Sequence, residues 1–446
     1  MGSYIPNTED DRKKMLEFVA GSSIEELFSP IPEQVRVKNL DLPTGMAEMD
    51  LARKINAIAN ENKVYPSIFR GAGAYRHYIP AAVKRISSNE SFLTAYTPYQ
   101  AEISQGILQS IFEYQTMICE LTGMDISNAS AYDGASAAAE AINMCREGEK
   151  QNIYVSASAH PHTIQTIRTY AFGYGIQVID VPLAFDGRTD LKALESMLKS
   201  DKQTACLYLQ SPNFIGLIED TKATAEIVHS AGALLVAGVN PMSLGILESP
   251  GACGADIAVG EGQSLGLPLA FGGPYLGFMA CKKALMRKMP GRIVGETVDS
   301  RGERAFVLTL QAREQHIRRE KASSNLCSNE AHCALTAGLY LSIMGEEGFV
   351  EASRQCHSKA VYAAAKINEI PGFSLAFSGE FFNEFVSFCP NPKKVMEVLE
   401  EHNILGGYPL SKDEFPLKTD GILWCVTEVN TKEEIDNLIS ILKTIF

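Results

Sequence analysis

Apolar segments without polar alternation recur through the middle of the chain, and helical segments separate them. The apolar segments are Asn152–Val155, Gln177–Val181, Ala205–Gln210 and Ala233–Val239, and the helical ones are Thr163–Phe172, Leu191–Leu198 and Thr221–His229. Strands that are apolar on both faces lie inside a sheet, so this alternation predicts an α/β fold with a mainly parallel sheet. Asp256–Val259 and Tyr275–Ala280 add two further strands, joined by a glycine-rich turn.

Helices precede this α/β region. Thr8 is placed to cap one helix, the pair Ser22–Ser23 begins a second, short helix, and Thr44 is placed to cap a third that runs to Ala59. None of these segments has enough apolar surface to fold alone, so we expect residues 1–90 to form a helical arm on a larger body.

A long amphipathic helix is predicted over Tyr99–Leu121, because its apolar positions recur mainly at three- and four-residue steps. Thr97 is a candidate N-cap, Pro98 fits the first turn, and Gly123 is a natural C-terminal stop.

The pattern changes after Ser300. Helices are predicted as far as Ile367, with an interruption at Gly345–Gly348, and the order strand-strand-helix-strand-helix follows. That order is typical of a small α+β domain with an antiparallel sheet. We therefore divide the chain after the arm into a large domain, 91–335, and a small domain, 336–446.

Composition excludes several classes of protein. The 446 residues carry 40 Lys and Arg against 53 Asp and Glu, a net charge of −13, which argues against sequence-independent binding of nucleic acid. No apolar run approaches a membrane span, and Met1–Lys14 does not resemble a secretory signal. The ten cysteines include no Cys-x-x-Cys pair, so we expect no metal site, reduced thiols and a cytoplasmic location.

Asp133–Gly134–Ala135–Ser136 precedes an alanine-rich helix. Free N–H groups at a helix start favour an anion, so this turn is a candidate phosphate cradle or simply a well-capped helix start. His160 and His162 follow a predicted strand, where an imidazole stacks on a ring, moves protons or has a structural role.

Two polar-aromatic loops and one charged segment complete the candidates. The loops, Gly71–Tyr78 and Tyr96–Gln100, are pocket walls or structural turns. The charged segment Arg313–Lys321 predicts a solvent-exposed helix face whose charged side chains pair between successive turns. The small polar turn Ser323–Ser324–Asn325 after it suits an anionic ligand.

Two groups that pyridoxal phosphate uses on such a sheet are missing. A carboxylate near a strand end would hold the pyridine nitrogen protonated, and a lysine would form the Schiff base. The strand Ala233–Val239 leads into Asn240, the segment Gly260–Gly266 has no lysine, and the next lysine is Lys282.

From about Tyr65 to its C-terminus the chain resembles the N-terminal half of the glycine cleavage system P-protein family. The residues that carry the resemblance are Tyr96–Gln100, Glu102, Ser104–Gly106, Tyr114–Met117, Asn128–Ser130, Gly262–Gly266, Gly272–Pro274 and Arg313–Lys321. It implies the fold-type-I, aminotransferase-like architecture of pyridoxal-phosphate enzymes. The length is that of the first (alpha) subunit where the P-protein is split in two.

The resemblance also implies a function. The second (beta) subunit would carry the Schiff-base lysine and pyridoxal phosphate, decarboxylate glycine, and pass the aminomethyl group to the lipoyl arm of H-protein. This chain would complete the partner's active site in an assembly of two alpha and two beta chains, and would be inactive alone. It gives no sign of membrane binding.

The candidate residues fall into two sets. The proposed pocket walls for the partner's site are Tyr75, His77, Tyr96, Tyr99 and Gln100. The proposed relic of a cofactor or anion cradle is Asp133, Gly134, Ser136, His160, Gln263 and Ser264. Arg76 departs from the fused family members, so its role stays open.

Two alternatives remain. One is a non-catalytic scaffold that stabilises subunit 2. The other is an autonomous pyridoxal-phosphate enzyme that uses a different lysine, Lys282 or Lys321.

Overall fold

The computed structural model describes residues 7–19, 21–37, 39–93, 97–322, 324–326, 328–412 and 420–445. Contacts divide the chain into two compact units, Met1–Val64 and Tyr65–Phe446. The described residues of the first unit contain three α-helices, α1 (Glu9–Phe18), α2 (Ile24–Leu27) and α3 (Glu48–Ala59). Residues 65–90 lie within the larger unit, and the division into an arm and two domains stays a prediction.

Caps explain two of the three N-terminal helices. Thr8 and Asp11 form a reciprocal capping box at α1, and the Ser23 side chain accepts the backbone N–H of Glu26 at α2, as the sequence predicts. The prediction for the third helix is wrong at its start. Its N-cap is Ala47, not Thr44, and no side chain caps it.

The larger unit has eleven helices in its described residues. They are α4 (Ala81–Ser87), α5 (Glu90–Leu93), α6 (Gln105–Thr122), α7 (Gly134–Cys145), α8 (Pro161–Tyr174), α9 (Leu191–Ser200), α10 (Thr221–Ser230), α11 (Gln315–Arg318), α12 (Ala331–Asn368), α13 (Pro392–Glu401) and α14 (Lys432–Leu442).

Its described strands number fifteen. They are β1 (Ser67–Ile68), β2 (Ile126–Ser127), β3 (Asn152–Ser156), β4 (Val178–Val181), β5 (Thr204–Ser211), β6 (Leu234–Val239), β7 (Ile257–Glu261), β8 (Gly277–Cys281), β9 (Ile293–Val298), β10 (Arg304–Thr309), β11 (Ser374–Leu375), β12 (Glu384–Phe388), β13 (Ile404–Leu405), β14 (Tyr408–Leu410) and β15 (Gly421–Cys425).

A seven-stranded sheet forms the centre of this unit, in the order β2-β8-β7-β6-β5-β3-β4. The pairs between β4, β3, β5, β6 and β7 are parallel, and only β8 runs against its neighbours. Successive residues of β5 enter different cores, since Leu207 and Leu209 pack in one apolar cluster and Cys206 and Tyr208 in another. The sheet is therefore covered on both faces, which confirms the predicted α/β class.

A second, four-stranded antiparallel sheet has the order β11-β12-β15-β14. It packs its apolar face with α13, α14 and the second half of α12 around the buried Trp424. Gly345 has φ 60° and ψ 179° and interrupts α12, where the sequence places a break.

Further local predictions are wrong. The long helix α6 begins at Gln105 rather than Tyr99, because Ser104 leaves helical geometry after a short 3₁₀ turn at Ala101–Ile103. Thr97 and Pro98 therefore precede that turn and cap nothing in α6.

The segment Arg313–Lys321 is also not one helix. A 3₁₀ turn, the four-residue α11 and a second 3₁₀ turn succeed one another, with φ 55° at Arg319. The antiparallel hairpin β9–β10 was not predicted, and its strand β10 contradicts the prediction of helices directly after Ser300. Its turn is stabilised by Asp299, whose carboxylate accepts the N–H groups of Arg301 and Glu303.

Candidate functional site

A cleft of about 410 Å³ lies where the parallel strands of the large sheet end. Residues at or just after the carboxyl ends of β3, β5, β6 and β7 line it, including His160, Gln210, Asn240 and Glu261, and Gly134 at the start of α7 closes one side. This is the edge at which open α/β sheets bind ligands.

The start of α7 is an anion site that the chain fills itself. The Gly134 N–H donates to one oxygen of the Glu261 carboxylate at 3.0 Å, and the other oxygen accepts the N–H groups of Gln263 and Leu276, each at 3.0 Å. A Cβ at Gly134 would lie 2.7 Å from the Glu261 backbone nitrogen, so only glycine allows this approach. An internal carboxylate thus occupies the position at the helix N-terminus that an external anion would take.

The environment of Glu261 shifts the pKa of its carboxyl group. Burial raises the pKa of this carboxyl to about 7, while its three N–H donors act in the opposite direction. Asp133 caps α7 beside it, accepting the Ser136 N–H at 2.7 Å. Ser136 therefore serves the helix start through its backbone.

Tyr208 fills the space beside the last residues of β6. A Cβ at Gly238 would lie 2.2 Å from the Tyr208 hydroxyl oxygen, and burial raises the pKa of this phenol well above its usual value. A neutral phenol therefore stands beside the strand end where a cofactor's pyridine nitrogen would need an acidic partner.

His160 is held on both ring nitrogens. Its Nδ1 accepts the His162 N–H at 3.1 Å, which leaves Nε2 to donate to the Ala72 carbonyl at 3.0 Å. Burial lowers the pKa of the imidazole, and Phe214 contacts it edge-on. The ring joins the loop 71–78 to the large sheet and is neutral at physiological pH.

Tyr75 lies in the cleft wall, but its hydroxyl points away into a buried group. It donates to Glu384 at 2.8 Å, and burial raises the pKa of that carboxyl to about 7. Gln263 fixes the same loop, since its amide pairs with both the N–H and the carbonyl of Tyr75. Ser264 next to it is buried, and its hydroxyl has no partner among the described residues.

His77 belongs to a different cluster, behind the cleft. Its side chain is 2% exposed, and Nδ1 lies 2.7 Å from Glu428, whose same oxygen accepts from the Cys356 thiol at 3.1 Å. Burial acts to raise the pKa of Glu428, but His77 and the Tyr78 N–H bring it below the usual value. Imidazole, thiol and carboxylate are metal-ligand types, and here they come from segments too far apart in sequence for any spacing to indicate them.

Tyr99 is in a third place. Its hydroxyl accepts from Arg292 at 3.1 Å, the guanidinium stands over its ring, and His316 contacts that ring edge-on. Gln100 is exposed before the 3₁₀ turn. Tyr96 lies outside the described residues.

The structure thus brings together Tyr75, Asp133, Gly134 and His160 at the cleft, with Gln263 supporting them. It places His77, Tyr99 and Gln100 elsewhere. Sequence reasoning missed Glu261 and Tyr208 as determinants of the cleft. The signal for Glu261 was present, because it is a carboxylate at the carboxyl end of a predicted strand.

Comparison with known proteins identifies the family. The family model of the glycine cleavage system P-protein matches residues 2–442. The chain belongs to the glycine cleavage system P-protein family. It is 50% identical over 446 residues to the probable glycine dehydrogenase (decarboxylating) subunit 1 of Moorella thermoacetica, covering 99% of each chain.

Solved structures agree. A crystal structure of glycine decarboxylase (P-protein) in inhibitor-bound form is 41% identical, with a TM-score of 0.91 over 100% of both chains. An alanine–glyoxylate aminotransferase from Nostoc sp. is 15% identical, with a TM-score of 0.61 over 92% of this chain and 98% of that one, and shows the fold alone. The predicted fold-type-I architecture of pyridoxal-phosphate enzymes is confirmed.

The residues of this P-protein family chain do not fit pyridoxal phosphate. The connection after β7 has no lysine, β6 ends without a carboxylate, and Glu261 occupies the anion position at Gly134. The three groups that would bind the cofactor's aldehyde, ring nitrogen and phosphate are therefore absent or already engaged.

None of the described helices combines the length and the apolarity that a transmembrane span requires.

Proposed function

We propose that this chain is subunit 1 of a two-subunit glycine dehydrogenase (decarboxylating) and completes the active site of subunit 2. The observation that carries the proposal is the self-filled cleft, in a chain that matches subunit-1 relatives along 99% of its length. Pyridoxal phosphate supplies its chemistry from the partner, and lipoylated H-protein accepts the aminomethyl group of glycine. We place this assembly, with two chains of each kind, in the cytoplasm.

The residues of this chain would act by position. Tyr99 is 48% exposed, and the buried Arg292 fixes its hydroxyl, so its ring presents a rigid polar-aromatic edge. Gln100 beside it is exposed and adds an amide. Such groups orient a small substrate or a lipoyl arm and limit access of water, and they need no charge of their own.

The test uses the complex of both subunits. We expect Tyr99→Phe and Gln100→Ala to lower the rate of exchange of labelled bicarbonate into glycine by about tenfold or more, as loss of a positioning contact does. The control is Tyr408→Phe, which removes the hydroxyl of another partly exposed tyrosine, on the small sheet. Tyr96→Phe and His77→Ala extend the series, with His77→Gln to separate positioning from packing beside Glu428.

The scaffold hypothesis gives the opposite result. It requires full exchange activity in all these variants while sedimentation shows intact assembly. That result would refute active-site completion and leave the family assignment untouched.

If the chain were an autonomous pyridoxal-phosphate enzyme, the isolated chain would show the absorbance of the bound cofactor, and Lys282→Ala or Lys321→Ala would abolish it. The geometry opposes Lys282, whose ammonium binds Asp256 at 2.8 Å, just before β7 begins, whereas the cleft lies where β7 ends. Lys321 lines a different pocket.

A further inference from the structure

A second pocket, of about 550 Å³, lies at the other end of α7 from the cleft. Arg146 directly after α7, Arg287 and Lys288 after β8, and Arg313, Arg318 and Lys321 line it, and we call it the basic pocket. A helix of twelve residues rises about 18 Å, so the basic pocket and the cleft are separate sites.

The basic pocket concentrates positive charge in an acidic protein. Six cationic side chains face two glutamates there, although the chain carries a net charge of −13. Within the described part of the chain only Lys288 of the six has a carboxylate within 4 Å, Glu147 at 2.8 Å. Self-repulsion among unpaired cations costs stability, so such a concentration indicates an anionic ligand.

Neutral groups position the arginines. Arg146 donates to the side-chain oxygens of Gln151 and Asn143, each at 2.8 Å. Arg313 donates to the backbone carbonyls of Leu310 and Gly291, and its remaining Nη1 is buried without a partner among the described residues. The guanidinium groups of Arg146 and Arg313 are thus oriented by neutral oxygens, without a described carboxylate at ion-pair distance.

The glutamates do not cancel this field. Glu147 is engaged by Lys288, and Glu140 is buried with its carboxyl bound by the Ser324 hydroxyl. Burial raises the pKa of Glu140 to about 7, so at neutral pH it carries only part of a charge.

We propose that the basic pocket binds a small molecule that carries phosphate groups. Four of its cations are arginines, whose planar forks match phosphate oxygens two at a time. Its volume is that of a small-molecule site. Met144, Pro290 and the ring of Tyr174 supply apolar lining for an organic part.

The test is calorimetric titration of the full-length chain with inorganic phosphate, pyrophosphate and ribose 5-phosphate, at constant ionic strength. We expect saturable binding of one probe per chain. Arg287→Ala/Lys321→Ala should weaken it by about tenfold or more, since two charge-assisted contacts are lost. Both residues are exposed, and neither side chain makes a hydrogen bond or ion pair within the described residues, so the variant should fold.

The matched control is Lys199→Ala/Lys393→Ala, which removes the same charge from exposed helix positions elsewhere. Unchanged binding in this control supports the proposal. Tighter binding of ribose 5-phosphate than of pyrophosphate would assign the site to an organic phosphate, and the reverse order to an inorganic one.

Three results would overturn the proposal. One is no saturable binding of any probe. Another is equal weakening in both double variants, which would show general electrostatic attraction only. The third combines two observations: no probe binds to the chain, and Arg287→Ala/Lys321→Ala slows the H-protein-dependent turnover of the two-subunit complex. That combination would assign the basic pocket to a protein partner.

Discussion

The two ends of α7 treat negative charge in opposite ways. At its start, where free N–H groups and the helix dipole favour an anion, the chain supplies its own carboxylate, Glu261. At its end, where exposed carbonyls favour cations, arginines and lysines gather around an open volume. Helix polarity alone therefore does not predict an anion site, because the site also depends on which charged side chains the rest of the fold places there.

Removing Glu261 should have the largest effect. We expect Glu261→Ala to lower the free energy of unfolding by about 3 kcal/mol, because three partly buried N–H groups lose their acceptor. Urea denaturation measures this change.

The same substitution should reopen the helix start. Combined with Arg287→Ala/Lys321→Ala, it should restore a phosphate-dependent rise in Tm that the double variant lacks. Were phosphate to leave the Tm of the triple variant unchanged, the cleft would not be a filled anion site.

A methyl group at Gly134 should act through the same contact. We expect Gly134→Ala to cost about 2 kcal/mol, since the new Cβ would overlap the Glu261 backbone. Gly106→Ala is the control, because it lies in the first turn of α6, where an added methyl group would have no atom within 4 Å, and it should be neutral or stabilising. Equal costs for the two substitutions would contradict the close approach.

The pH dependence of the free energy of unfolding tests the buried carboxyl groups, including one near each end of α7. Burial raises the pKa of Glu261, Glu140 and Glu384 to about 7 from an ordinary value of 4.5. Between these pH values the folded chain retains protons that the unfolded chain has released, so the free energy of unfolding should fall as pH rises from about 4.5 to 7.

Substitution isolates each contribution. Glu261→Gln should remove the contribution of the cleft carboxyl to this pH dependence, and Glu140→Gln that of the carboxyl in the basic pocket. Urea denaturation midpoints measured from about pH 4.5 to 8 test both substitutions. A profile that both variants leave as steep as the parent's would exclude these carboxyls as its cause.

The smallest effect is expected for Lys288→Ala. Its ion pair with Glu147 is partly exposed, and such pairs contribute about 0–1 kcal/mol. The free energy of unfolding should hardly change. Pyrophosphate binding, measured by calorimetry, should weaken because the basic pocket loses one positive charge. A loss of stability larger than that of Gly134→Ala would show that Lys288 has a structural role.

The sequence predicted the fold to the extent that its signals are local. Uniformly apolar strands and the glycine stops at Gly123 and Gly345 are visible within a few residues. The start of α6 and the break at Arg319 were missed, because tertiary contacts and local strain override a charge or apolar pattern there. Of the candidate site, Asp133, Gly134 and His160 were found because they follow strands, whereas the burial of His77 against Glu428 could not be seen.

By itself, the sequence determined that a fold-type-I chain lacks the lysine and the strand-end carboxylate of a pyridoxal-phosphate site, since these are matters of residue type at local positions. Only the tertiary structure decided that Glu261 fills the start of α7, from 127 positions away. It also decided that six cations from separate segments share one pocket. The reason is physical, because periodicity and capping act between near neighbours in sequence, whereas charge and burial act between neighbours in space.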